Sequence, residues 1–336
     1  MEKRIDYIVG IDISKQTFDV CLGKNNSTSS VKKACFKNNL NGYECFLNWL
    51  ETASVELSEI LFCLENTGIY HRQLVVHLLS KSGYVWVASA IDIKWSMGLQ
   101  RGKSDQVDSE RIMCYAYRYQ DKAVGFKMTS QSIGQIADLM SLRERLINCI
   151  KRLKVPIKES KASGLLEQAL LIEQACSESL ASLEVELKAL EGKIRKIIEQ
   201  DDQLADLYEY ITSVSCVGFV AASYFLVYTN GFTKFDNPKQ FAAYSGVAPF
   251  EYSSGTSVRG RTKVHPMANK QMKKILHMCA LSSIRHNPEM KSYFNRKVTE
   301  GKNKMLVLNA VRNKIIQRVF SCVKNQRLYV RHYQRA

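Results

Sequence analysis

The sequence lacks the long apolar run that a membrane-spanning helix requires. Nothing in its 336 residues approaches the ~18 consecutive apolar residues of such a span. A charged segment followed by an apolar one, which would mark a secretion signal, is also missing from the opening residues. These absences predict a protein that does not enter a membrane and resides in the cytoplasm.

The cysteines and histidines lack the spacing of a metal or redox motif. The ten cysteines are scattered, and neither a Cys-x-x-Cys pair nor a His-Glu-x-x-His arrangement occurs. In a chain of this size, such cysteines are typical of reduced core residues rather than disulfides or zinc ligands.

Acidic residues are scarce in the last quarter of the chain. From Ser257 to Ala336 there are 19 Lys and Arg against two acids, Glu289 and Glu300, in a chain whose formal net charge is +16. The residues before Ser257 are therefore close to neutral as a whole. This asymmetry predicts a polyanionic partner, either nucleic acid or an anionic membrane.

The opening stretch, Tyr7 to Lys15, contains an acid inside a β-branched run. Such a run predicts a buried strand, and Thr17 to Leu22 predicts the second strand of a hairpin. A charge at Asp12 is costly there unless it has a partner, so we expect it to face a metal or a phosphate. The alternative is that Asp12 merely terminates an edge strand.

A second acid follows another apolar run. Ile60 to Leu64 has the length of a strand and leads into Glu65-Asn-Thr-Gly68. Apolar residues at helical spacing precede and follow this run, and Tyr84 to Ala88 predicts another strand. Strands that alternate with helices in this way indicate an α/β domain with a partly parallel sheet.

Two more acids, Asp105 and Asp108, open a predicted helix after a candidate N-cap, Ser104. Three residues apart, their carboxylates share one face and repel unless a cation lies between them. Taken alone, the pair is explained better by the helix dipole, which favours acids in a first turn. Together with Asp12 and Glu65, however, it suggests four acids gathered around two Mg²⁺ ions.

The middle of the chain predicts long helices. One is expected to end before Pro156, and a polar link over Lys158 to Gly164 follows. Apolar residues then recur three and four apart from Leu180 to Ile197, as in a heptad seam. An intramolecular helical hairpin and a dimerisation arm are equally compatible with this pattern.

The last block combines a Ser/Gly loop with clustered cations. Phe250 to Gly255 predicts a loop that could hold a phosphate, in which a serine could attack DNA. On composition alone, an ordinary Ser/Gly loop is the better explanation. A basic amphipathic helix is expected over Asn269 to Ser283. The candidate nucleic-acid-binding residues are Arg259, Arg261, Lys263, Lys270, Lys273 and Lys274.

These motifs together resemble the DEDD transposases of bacterial insertion sequences, of the insertion-sequence one-ten type related to the Piv DNA invertase. The resemblance runs nearly end to end. It rests on Gly10–Lys15, Glu65–Tyr70, Lys103–Asp108 and Phe241–Gly255. The family's serine corresponds best to Ser254, with Ser253 as the alternative.

The resemblance implies an α/β plus α architecture: an RNase H/RuvC-like catalytic domain (1–128), a helical coiled-coil arm (129–206) and a small, mainly helical C-terminal transposase domain (207–336). It implies that Asp12, Glu65, Asp105 and Asp108 bind Mg²⁺, with two ions per site, and that Ser254 links covalently to DNA.

The resemblance further implies RNA-guided transposition, with a guide or bridge RNA that pairs with double-stranded donor and target DNA. It implies dimers and tetramers, no membrane partner, and a bacterial cytoplasmic protein that joins the nucleoid when bound to DNA. Three alternatives remain: a structure-specific nuclease or invertase without an RNA guide, a non-enzymatic nucleic-acid-binding protein, and a sugar-kinase- or actin-like ATPase. The last shares the opening hairpin, but neither its second phosphate loop nor its Gly-Gly motif is found.

Overall fold

A computed structural model of the protein describes residues 4–25, 27–66, 68–96, 105–248, 250–254, 258–264 and 267–330. Within these ranges the side chains of residues 27–30, 105–106, 250–254 and 258–263 are not described. The chain divides into two units, Met1–Met128 and Thr129–Ala336.

The first unit is built on a five-stranded mixed sheet. Its strands are β1 (Tyr7–Ile13), β2 (Thr17–Lys24), β3 (Ser27–Lys37), β4 (Ile60–Glu65) and β5 (Tyr84–Ala88), in the spatial order β3-β2-β1-β4-β5. β2 is antiparallel to both β1 and β3, whereas β4 is parallel to both β1 and β5. The predicted α/β arrangement with a partly parallel sheet is confirmed.

The described residues of this unit form four α-helices. They are α1 (Leu40–Thr52), α2 (Arg72–Ser80), α3 (Ala90–Ser96) and α4 (Asp105–Arg118). Residues from α1 and α2 share one apolar cluster with one face of the sheet, and residues from α3 and α4 share a second cluster with the opposite face. The sheet is therefore covered on both faces, which explains why β1 and β4 are almost continuously apolar.

The second unit begins with two long antiparallel helices, α5 (Gln131–Ala162) and α6 (Leu166–Glu199). The ion pairs Arg143–Glu191 (2.7 Å), Lys154–Glu184 (2.5 Å) and Lys161–Glu173 (2.6 Å) join them along their length. Of the two predicted alternatives, the structure therefore forms the helical hairpin within one chain.

The prediction that the first of these helices ends before Pro156 is wrong, because α5 continues six residues beyond it to Ala162. Proline removes one backbone donor and costs a helix about 3 kcal/mol. Packing against α6 on both sides of Pro156 outweighs that penalty, since Ile157 is buried and Lys154 and Lys161 both pair with α6. The expected polar link shrinks to a tight turn at Gly164, whose φ is +77°.

Six further α-helices follow among the residues that the structure describes in this unit. They are α7 (Asp202–Ser213), α8 (Phe219–Thr229), α9 (Pro238–Tyr244), α10 (Lys270–His286), α11 (Pro288–Thr299) and α12 (Lys304–Lys324). Their apolar faces pack with the N-terminal part of α5 and the C-terminal part of α6 into one core, in which Phe225, Phe241 and Ile316 are fully buried. No helix formed by the described residues is long and apolar enough to cross a bilayer.

Between α9 and α10 the chain forms a two-stranded antiparallel sheet, β6 (Phe250–Ser254) and β7 (Val258–Lys263). The prediction that Phe250 to Gly255 is a loop is therefore wrong for its first five residues. Strand pairing satisfies the backbone groups that a loop would leave to water. The connecting residues 255–257 lie outside the described part of the chain.

Candidate active site

The residues of β1 divide between the two faces of the sheet, because successive side chains along a strand point in opposite directions. Ile8 belongs to the apolar cluster that includes Ile112 of α4. The buried residues of the opposite cluster include Val9, Ile11 and Ile13. Gly10 and Asp12 alternate with Ile8, so the backbone directs Asp12 to the α4 face.

Asp12 and Glu65 lie at the carboxyl ends of neighbouring parallel strands, Asp12 one residue before the end of β1 and Glu65 as the last residue of β4. The register pairs Gly10 with Cys63 and Ile11 with Leu64, and the next residue on each strand is Asp12 and Glu65, respectively. Adjacent strands lie about 4.8 Å apart. Leu61 and Cys63 belong to the cluster on the α4 face, and Glu65 continues their alternation. Two partly buried carboxylates therefore stand side by side at the carboxyl edge of the sheet.

Helix α4 lies directly on β1. A Cβ atom placed on Gly10 would be 2.2 Å from the carbonyl oxygen of Ser109 and 2.3 Å from the amide nitrogen of Met113. Backbone contact this close is open only to glycine. Asp108 immediately precedes Ser109, so the first turns of α4 bring it to the face that carries Asp12.

Two acids of α4 are paired with cations. Asp108 Oδ1 accepts a hydrogen bond from Arg111 Nη1 at 2.5 Å, and both side chains are mostly buried. Glu110 accepts one from Lys33 Nζ of β3 at 2.6 Å, and this hydrogen bond raises the pKa of Lys33. The side chain of Asp105, the first residue of α4, and the whole of Ser104 lie outside the described residues.

Asp19 is an acid that the sequence analysis missed. It pairs with Asp12 across the antiparallel strands β1 and β2 and is 9% exposed. Its alternation with Cys21, which belongs to the cluster on the α4 face, directs it to that same face. The available signal was its position in Thr17 to Leu22, a polar residue between Phe18 and Val20 in a strand buried on both sides.

The donor chemistry of this edge suits a hard divalent cation, since Mg²⁺ prefers carboxylate oxygens. Among the described side chains, however, no three His, Cys, Asp or Glu groups are placed to hold a metal ion together. Asp105 is not among those side chains, and Asp108 is engaged by Arg111. The carboxylates fit the cation chemically, and Asp108 would exchange its arginine contact for a metal contact.

The serine candidates occupy the end of β6. Ser254 pairs with Val258, and Ser253 pairs with Arg259. Arg259, Arg261 and Lys263 take alternate positions on β7. The side chains of all these residues lie outside the described part, so their contacts are not given.

The lysines at the start of α10 are placed against the preference of the helix dipole. Asn269 caps this helix by accepting a hydrogen bond from the backbone N–H of Met272 (2.8 Å), and no acid lies in its first turn. Cations near a helix N-terminus reduce helix stability. Lys270 and Lys274 are exposed and Lys273 is half-buried, so the three form a basic surface that an anionic partner would stabilise.

Comparison with known proteins shows that both halves of the chain are similar to transposases. A family model of DEDD transposases of the IS110 type matches residues 9–160, and a second, described as transposase IS116/IS110/IS902 family, matches residues 208–295. The chain belongs to the IS110 family of transposases, and the predicted resemblance is confirmed.

Individual relatives match at low identity. The pilin gene-inverting protein of Moraxella bovis is 22% identical over 323 residues, which cover 95% of this chain and 96% of that protein. The insertion element IS110 uncharacterized 43.6 kDa protein of Streptomyces coelicolor is 26% identical over 159 residues, covering 47% of this chain and 38% of that protein. A RuvC structure from Thermus thermophilus matches with a TM-score of 0.26 and 10% identity, over 35% of this chain and 98% of that chain.

Proposed function

We propose that the protein is an RNA-guided DNA recombinase that cuts and rejoins DNA strands to move an insertion sequence. In this proposal residues 1–128 form an RNase H/RuvC-like catalytic domain, 129–206 a coiled-coil arm, and 207–336 the transposase domain with the serine hairpin. The observation that carries the proposal is the acid edge: Asp12 and Glu65 on adjacent parallel strands, under the helix that carries Asp108.

Asp12, Glu65, Asp105 and Asp108 are the residues that would hold the cations, with Asp108 released from Arg111. Bound Mg²⁺, two ions per site, would neutralise the charge that develops on the phosphate and on the leaving oxygen. The four carboxylates would fix where the cations bind and thereby where the scissile phosphate is held. Burial on the α4 face strengthens this electrostatic effect, because water screens it less than at the surface.

Ser254 supplies the nucleophile. Its hydroxyl loses its proton as Oγ bonds to phosphorus, and the bond between phosphorus and one deoxyribose oxygen breaks. The departing oxygen takes up a proton, so the protons balance and a free hydroxyl end remains. Attack by the hydroxyl of the exchange partner then reverses the step and restores the serine. No net bond energy is spent, which is why such a recombinase needs no ATP.

The basic face provides the nucleic-acid contacts. Arg259, Arg261, Lys263, Lys270, Lys273 and Lys274 would neutralise backbone phosphates of double-stranded donor and target DNA and of the guide RNA. Such contacts supply affinity and register, while sequence would be read by pairing between RNA and DNA. Dimers, and tetramers in the synaptic complex, would let the serine of one subunit act at the acid edge of another. The protein would act in the bacterial cytoplasm, at the nucleoid.

One observation favours a second function, site-specific inversion without an RNA guide. The similarity to the pilin gene-inverting protein spans 96% of that relative, whereas the similarity to the IS110 protein spans 38%. The two functions share the acid edge and the serine and differ in RNA dependence. Sequencing RNA that co-purifies with the protein, and repeating recombination after ribonuclease treatment, distinguishes them.

Isosteric substitutions at the acid edge test its catalytic role. Asp12→Asn keeps the shape of the side chain and removes the charge, so we expect loss of recombination in a two-plasmid assay with DNA binding retained. Asp121→Asn, at an exposed acid of the same unit, is the matched control and should recombine normally. Normal recombination by Asp12→Asn would refute the metal site.

The nucleophile is tested by trapping the covalent protein–DNA complex on denaturing gels. Ser254→Ala should abolish the complex, and Ser253→Ala should retain it. The opposite pattern would move the nucleophile to Ser253. Covalent complexes formed by both single variants and by the double variant would refute a serine intermediate on this hairpin.

A further inference from the structure

One buried cation of the second unit has no acidic partner among the described residues. Arg312 of α12 is 5% exposed, and its guanidinium donates to His277 Nδ1 (2.6 Å) and to Asn309 Oδ1 (3.2 Å). Its Nε finds no hydrogen-bond partner in the described part of the chain. The pKa of His277 is lowered by burial and by this guanidinium, so the neutral imidazole is the acceptor. Burying a charge among neutral groups is costly, which calls for a reason for its position.

The next hydrogen bond in this network explains the position of Arg312. Asn309, whose oxygen is held by Arg312, donates from its Nδ2 to the carbonyl oxygen of Val247 at 2.6 Å. Val247 follows Gly246 in the turn between α9 and β6. Helix α12 is thus hydrogen-bonded to the backbone at Val247, three residues before β6, the strand that ends in Ser254.

The outgoing end of the same hairpin is held at the same point. The backbone N–H of Asn269 donates to the Tyr244 carbonyl at 2.7 Å, and its side-chain amide donates to the Tyr244 hydroxyl at 2.9 Å. Gly246 has a φ of +65°, and a Cβ there would lie 2.7 Å from Ala268 Cβ and 3.0 Å from Val264 Cγ1. The incoming and outgoing chains therefore meet at Gly246 and close the base of the hairpin.

We propose that Asn309, held by Arg312, is a positioning residue for the nucleophile, because it fixes the base of the hairpin that carries Ser254. The inference rests on the proposed function of Ser254. A hairpin of two short strands is marginally stable by itself, so its direction is set by the groups that hold its base. A misplacement of about 1 Å at a nucleophile can slow its reaction about 100-fold.

Asn309→Asp separates positioning from folding. The aspartate has the same size and accepts the Arg312 hydrogen bond more strongly as an ion pair, but it has no N–H to donate to Val247 and brings a negative oxygen toward that carbonyl. The matched control is Asn313→Asp, which makes the same change at an exposed position of the same helix.

Three quantities are measured on the full-length protein: the single-turnover rate of covalent complex formation, the Kd for DNA, and hydrogen exchange of peptides spanning 250–263. For Asn309→Asp we expect a rate about 10- to 100-fold slower and faster exchange in that segment, with the Kd and Tm close to those of wild type. Asn313→Asp should match wild type in all of them.

Wild-type rate and exchange in Asn309→Asp would overturn the inference. If Asn309→Asp lowers Tm by many degrees, Asn309→Ser removes both contacts without adding a charge and answers the same question. Failure of the proposed function has a different signature, because wild type itself would then form no covalent complex that depends on Ser254.

Discussion

Replacing Gly10 with alanine is expected to move Asp108 of α4 away from Asp12 of β1. The added methyl group would meet two backbone atoms of α4, the Ser109 oxygen at 2.2 Å and the Met113 nitrogen at 2.3 Å. Because both belong to the helix backbone, no side-chain rotation relieves the clash. Ordinary van der Waals contact begins near 3.4 Å, so α4 must retreat from β1 by about 1 Å.

The magnitude follows from that displacement. Overpacking a core in this way costs about 1–3 kcal/mol of unfolding free energy, and each kcal/mol lowers Tm by about 2–8 °C in domains of this size range. Catalysis should suffer more than stability. A shift of about 1 Å between Asp108 and the strand that carries Asp12 is expected to slow cleavage about 100-fold.

The assay compares metal-dependent cleavage of a matching DNA substrate with thermal unfolding. Gly134→Ala is the matched control, because its Cβ would meet no atom within 4 Å in the first turn of α5. We expect this control to cleave normally and to be stabilised by up to about 1 kcal/mol, since alanine favours helix over glycine.

Wild-type cleavage and Tm in Gly10→Ala would refute the close packing of α4 on β1. A loss of stability with normal cleavage would refute the dependence of the active site on that packing. Raising the Mg²⁺ concentration should restore part of the activity if the acids are only displaced.

Three more outcomes are expected. Asp19→Asn should raise the Mg²⁺ concentration for half-maximal cleavage about 10-fold, because Asp19 faces Asp12 and its charge supports the cation; an unchanged metal titration would exclude that role. Burial raises the pKa of Cys21 to about 12, so in native protein at neutral pH iodoacetamide should label exposed Cys45 before Cys21, and the reverse order by mass spectrometry would contradict the buried β2. Lys274→Ala should reduce the slope of log K against log salt for DNA binding by about 1, and an unchanged slope would remove Lys274 from the phosphate contacts.

Features that depend on a few consecutive residues were predictable. The apolar runs that contain Asp12 and lead into Glu65 have strand length and β-branched composition. They form β1, which ends at Ile13, and β4, which ends one residue beyond Leu64. The acids between Lys103 and Asp108 precede an apolar helical pattern, and the structure has α4 there. Local propensity and tertiary packing agree in these segments, so the pattern suffices.

Features that depend on distant partners were not predictable. Pro156 predicted a helix end, but contacts with α6, such as the ion pair between Lys154 and Glu184 at 30 residues' separation, stabilise α5 through it. The Ser/Gly composition of 250–255 argued for a loop, but pairing with β7 makes a strand of it. In each case a local preference of a few kcal/mol is overridden by non-local packing.

By itself, the sequence determined the family, the two acids at the carboxyl ends of strands, the acids that open α4 and the basic character of the C-terminal part. Each of these features depends only on residues that are neighbours in the chain. Only the tertiary structure decided that Asp19 faces Asp12, that Gly10 must be glycine, and that Asn309 reaches Val247. These depend on strand register and on how closely a helix approaches a sheet or a turn. Both are set by the packing of segments far apart in the chain, and no short stretch of sequence encodes them.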